Sequence, residues 1–139
     1  MTNRESHDAA RRAIVLGPDE GRAYELGTMR AVFKADGDES SNTYSISEWT
    51  LDPGCVGVGA HSHGDNDDIF FVLEGEVTFL LGEDTIVATP GTFLRAPHDT
   101  LHDFSNRGDT TARFLNIYVP GGFEDDMPSI VEWFATHDD

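Results

Sequence analysis

Cysteine is nearly absent from this chain of 139 residues. Cys55 is the only one, so no disulfide forms within the chain and a reducing compartment is expected. Its neighbours Gly54 and Val56 offer no base, which predicts a packed or partly exposed, inert thiol. Basic residues are scarce as well: 9 Lys and Arg stand against 26 Asp and Glu, for a net charge of −17. Such a surface repels phosphate backbones and anionic lipid headgroups, so neither nucleic acid nor membrane is an expected partner. No apolar run approaches bilayer-spanning length. The opening stretch MTNRESHDAARR lacks the apolar core of a secretory signal. The expectation is a cytoplasmic protein, with residues 1–12 a flexible tail and residues 13–139 one domain.

Helical periodicity is also missing until the end of the chain. Only MPSIVEWFATH (127–137) places Ile130, Val131 and Phe134 on one stripe, which predicts a short C-terminal helix. Elsewhere short apolar runs alternate with Gly, Asp, Asn and Pro. Strands are expected at 13–16, 28–35, 43–51, 56–63, 68–74, 76–82, 84–90, 92–97, 101–106 and 112–119. In the third of these, Ser45, Ser47 and Trp49 share one face and Tyr44, Ile46 and Glu48 the other. Turns are expected at GPDEG (17–21), DPG (52–54) and the Gly corners of LEGEV and LLGED, with DGDESSN as a loop. Many short strands at regular spacing indicate an all-β sandwich or barrel. The tripeptide Arg107-Gly108-Asp109 is read as part of a turn between two strands.

Six histidines occur. His7 and His137 sit in polar ends and are read as solvated. His61 and His63 are two apart, so on a strand both imidazoles project from one face and can share an ion. The sequence GDND then favours a turn, after which Asp68 opens the next strand and can face back inward. Imidazole nitrogens with a carboxylate suit a divalent transition metal. The pair alone also suits a solvated polar loop.

The segment GTFLRAPHDTLHDFSN (91–106) carries the second half of the pattern. His61-Ser62-His63, four residues, Asp68, six residues and Gly75 resembles the first cupin motif. Gly91, five residues, Pro97, two residues beyond Asp99, His102, three residues and Asn106 resembles the second. The chain over residues 15–125 is similar to small single-domain cupins of the quercetin-dioxygenase type. That resemblance implies a jelly-roll barrel of two antiparallel sheets with metal ligands at His61, His63, Asp68 and His102. Two departures stand out. Asp68 replaces the usual Glu and is shorter by one methylene, with Asp67 a second candidate. Asp99 replaces a Gly, which a left-handed Asp can do.

The resemblance further implies one divalent transition metal, iron first, with Mn, Ni, Cu and Zn compatible. Asp68 and His98 are the candidate acid/base groups, and Asp99 a possible neighbour of the site. Phe70 and Val72 share the Asp68 face, and with Phe104 they are candidate pocket walls. Ile69 and Phe71 point the other way, and an apolar pair there predicts a homodimer. The expected activity is a dioxygenase acting on a small aromatic or enolisable substrate. The alternatives are a non-redox isomerase, cyclase or lyase, and a non-catalytic small-molecule-binding cupin.

Overall fold

Antiparallel pairing organises nearly the whole chain. The computed structural model describes residues 12–137. Residues 1–11, which include His7 and nearly all of the expected tail, lie outside the described residues, as does the side chain of His137. The strands are β1 (Arg22–Leu26), β2 (Met29–Ala35), β3 (Ser45–Leu51), β4 (Asp67–Glu74), β5 (Val77–Leu81), β6 (Asp84–Ala88), β7 (Phe93–Ala96), β8 (His102–Ser105) and β9 (Ala112–Val119). One sheet has six strands in the order β1-β2-β3-β9-β4-β7, and the other has three in the order β6-β5-β8. Together they form the expected jelly roll. A short helix α1 (Gly37–Ser40), a 3₁₀ turn (Phe123–Asp126) and helix α2 (Met127–His137) complete the described chain.

The alternation read along 43–51 is present. Ser45, Ser47, Trp49 and Leu51 are buried, and the intervening residues are partly exposed. Strand β4 likewise buries Asp68, Phe70 and Val72. Between the sheets lies an aromatic interior. Phe114 stacks parallel to Trp49 at 6.3 Å and meets Phe70 and Phe104 edge-on at 5.5 and 4.9 Å. Trp49 satisfies its buried Nε1–H by donating to Ser47 Oγ at 2.9 Å. On the outer face, Phe71 and Phe93 stand opposite each other on β4 and β7 and are exposed. Cys55 is buried, as the packed-thiol reading expects.

Two expected strands do not form as such. Residues 13–16 are extended and exposed, Val15 at 91%. Their hydropathy suits a strand, but no sheet edge receives them. The edge strand is instead β1, RAYEL, whose mixed polarity hides it in the sequence. The segment 56–63 meets β8 through one isolated bridge between His61 and His102. It still runs along β8: Asn106 N donates to Cys55 O at 2.8 Å, and Asp99 N to His63 O at 2.7 Å. Gly57 and Gly59, at φ +79° and +97°, bend it out of regular pairing. Asp99 has φ +65°, the left-handed geometry anticipated for it.

The bend is sterically specified. A Cβ on Gly57 would lie 1.9 Å from Phe104 O, whereas one on Gly59 would meet nothing within 4 Å. Gly57→Ala is expected to destabilise the fold by about 3 kcal/mol, and Gly59→Ala by only about 1–2 kcal/mol. Urea denaturation midpoints of the two variants measure the contrast. Equal losses would mean that the close approach to β8 does not govern this loop.

Candidate metal centre

Three segments deliver the site. The bent loop carries His61 and His63, the start of β4 carries Asp68, and the start of β8 carries His102. Reciprocal backbone bonds, His61 N to His102 O at 3.0 Å and His102 N to His61 O at 2.8 Å, lock the loop to β8. The rings then converge, with centroids 4.5 to 5.3 Å apart. One ligand atom from each of His61, His63, Asp68 and His102 lies within 4.8 Å of the others.

Each imidazole is held through its other nitrogen. His61 Nδ1 lies 2.7 Å from Gly59 O, and His102 Nδ1 lies 2.9 Å from Thr100 O. A carbonyl only accepts, so both Nδ1 atoms carry a proton; that leaves His61 Nε2 a lone pair, and His102 Nε2 gains one when the proton it shares with Asp68 Oδ2 leaves. His63 Nδ1 faces the Tyr118 hydroxyl at 3.3 Å. Its Nε2 is buried with no hydrogen-bond partner, 3.6 Å from Asp68 Oδ2. A buried, unpartnered nitrogen facing a carboxylate and two further lone pairs is a donor set that fits a divalent transition metal.

Asp68 is held from both sides. Its Oδ2 lies 3.0 Å from His102 Nε2, and its Oδ1 accepts from Asn116 Nδ2. Asn116 also donates to Ile69 O at 3.1 Å. Only Oδ2 faces the imidazoles, so this carboxylate would ligate through one oxygen. Burial opposes its ionisation, but His102, His63 and the Asn116 amide outweigh burial and hold its pKa below the ordinary value. Burial lowers the pKa of His61. Burial also works against His102, yet Asp68 raises it on balance. Burial and the charges of Asp68 and Asp126 push Tyr118 up to about 12, so it stays a phenol.

A cavity of about 280 Å³ opens over the cluster. Trp49, Phe70, Phe104 and Phe114 wall it, and Phe123, Asp126 and Ile130 stand at its C-terminal side. Asp36 pins that side. Its Oδ1 accepts from Gly122 N and its Oδ2 from Glu124 N, both at 2.6 Å.

Three expectations need correction. Val72 faces inward but is fully buried in the core and does not line the cavity, two residues further along β4 than Phe70, which does. His98 does not reach the cluster. Its side chain is 61% exposed, its backbone N donates to Asp67 Oδ1 at 2.9 Å, and its ring is 3.4 Å from that oxygen. The same contact removes Asp67 as a rival ligand. The pleat explains both, since Asp67 and Asp68 project to opposite faces of β4. Phe70 and Phe104 do line the cavity.

A family model described as a cupin domain matches residues 47–118. This chain is a cupin. It is 33% identical over 64 residues to quercetin 2,3-dioxygenase of Bacillus subtilis (strain 168), a match covering 46% of this cupin and 19% of that protein. It therefore spans only a small part of its curated relative. KdgF from Halomonas sp. superposes with a TM-score of 0.71 at 17% identity, covering 82% of this chain and 98% of that one. A structure from Thermotoga maritima, described as a predicted oxalate decarboxylase, gives 0.72 at 19% identity, covering 77% and 99%. These two likenesses concern the fold.

Asn116, Tyr118 and Asp126 were not read as site residues from the sequence. For Asn116 a signal existed: Ala112, Phe114, Asn116 and Tyr118 occupy the buried face of β9. An amide in that row must find a buried partner. Asn116→Leu is expected to weaken metal binding by about 10–100-fold while the barrel stays folded. Competition against a chromophoric chelator, with circular dichroism as the folding control, measures this. Unchanged affinity would show that Asp68 needs no such support.

Proposed function

We propose that this cupin is a metal-dependent enzyme, a dioxygenase acting on a small aromatic or enolisable compound held inside the barrel. The convergence of His61, His63, His102 and Asp68 at the floor of an aromatic cavity carries the reading. The similarity to part of quercetin 2,3-dioxygenase supports the reaction class. Bound there, iron or a related divalent ion supplies a Lewis acid and a redox couple for chemistry with O₂.

The protein residues do the rest. His61, His63 and His102 would hold the ion through Nε2, and Asp68 through Oδ2. Asn116 keeps Asp68 from swinging away, so Oδ2 is also the atom that would accept a proton from an enol or catechol oxygen. Phe70, Phe104, Phe114 and Trp49 exclude water and offer flat faces to a planar substrate. An apolar cavity of about 150 Å³ accommodates benzene. The 280 Å³ here suits one substituted ring better than a three-ring flavonol.

Protein purified without chelator is expected to carry nearly one equivalent of Fe, Mn, Ni or Cu, lost in His102→Ala, by plasma mass spectrometry. The loaded protein should consume O₂ when simple catechols or enediols are added. Turnover without oxygen consumption would assign the site to non-redox chemistry. A lack of metal in both proteins would remove the enzymatic reading.

A further inference from the structure

We propose that the cavity selects its substrate by charge, admitting neutral and cationic small-ring compounds and rejecting carboxylates, with Asp126 reading the charge at the mouth. This rests on the substrate reading above. No Lys or Arg lines the cavity among the described residues. Its ionisable lining apart from the imidazoles is buried Asp68 and exposed Asp126. A carboxylate or phosphate substituent would leave water for an aromatic wall with no cation to meet it. An ion held by the histidines would be the one cation facing the cavity, and the diol of a substrate would compete with a carboxylate for it. The net charge of −17 opposes anions during approach as well.

An ammonium substituent on the same ring finds a partner instead. Asp126 ends the 3₁₀ turn that Asp36 pins through Gly122 and Glu124, so the backbone that carries it along the cavity is held in place. Asp126 is exposed. Its attraction is therefore worth a few-fold, and the apolar wall supplies the larger part of the discrimination.

Three catechols with one ring and one diol test this: 4-methylcatechol is neutral, dopamine cationic and protocatechuate anionic. Calorimetry on the full chain loaded with zinc, which prevents oxidative turnover, gives their affinities. Protocatechuate is expected to bind at least about tenfold more weakly than 4-methylcatechol. Dopamine should bind the most tightly. Its advantage over 4-methylcatechol should shrink by about threefold in Asp126→Asn and reverse in Asp126→Lys. Equal binding of protocatechuate and 4-methylcatechol would overturn the charge selection. An unchanged dopamine ratio in both variants would overturn the role of Asp126. The expected order in a protein that consumes no O₂ would uphold the selection and remove the dioxygenase reading. Failure of all three catechols to bind would overturn both.

Discussion

The two backbone hydrogen bonds between His61 and His102 are the constraint on which the site depends. They join a bent loop to the first residue of β8, and the side chains of the bonded pair are themselves candidate ligands. Fixing the backbone in this way sets the ring separation before any metal arrives. The cost is an irregular strand: the loop gives up continuous pairing with β8 so that His61 and His63 turn inward. Each such bond contributes about 1 kcal/mol. Gly57, held against Phe104 O, and Asp99, whose N–H reaches His63 O, are therefore needed to keep the loop in place.

The floor of the cavity is polar and its walls are not, and this division has an electrostatic consequence. Asp68 sits beneath aromatic rings in a region poor in water. There its attraction to an ion or to neighbouring imidazoles is stronger than at the surface. Asn116 occupies one oxygen and leaves the other for the cluster, so the shorter carboxylate is placed by an amide from β9. The family's usual Glu has more reach, and the geometry here compensates from the facing strand. The mouth is treated similarly. Buried Asp36 satisfies backbone N–H groups of the turn that bears Phe123 and Asp126, tying the edge of the cavity to the end of β2.

The candidate metal centre was more legible than much of the fold, for a physical reason. Its ligands obey fixed spacing because they must reach one point, and that spacing survives in a linear sequence. The inward turn of Asp68 followed from GDND, and the left-handed Asp99 from the chemistry of its side chain. Edge strand β1 was missed because RAYEL is short and mostly exposed, and Tyr24 and Leu26 alone turn inward, too few positions to show a period. AIVL looked like a strand because hydropathy records a preference for burial and not the existence of a partner. His98 looked like a site residue because sequence proximity to His102 says nothing about the Pro97–Thr100 turn that separates them.

Resemblance of two motifs to the cupin pattern supplied the set His61, His63, Asp68 and His102, while alternation and turn signals were enough for an all-β sandwich or barrel and its inward faces. These are local properties, set by the two-residue period of a strand and by turn chemistry. Tertiary structure alone decided which atoms surround that set. Asn116 on Asp68, Tyr118 beside His63, and Asp126 along the cavity come from β9 and the segment after it, and their roles arise only when β9 pairs with β4 and the flanking loops fold over that sheet. A contact between residues far apart in the chain leaves no period to read, because its cause is long-range strand pairing and not the chain's local geometry.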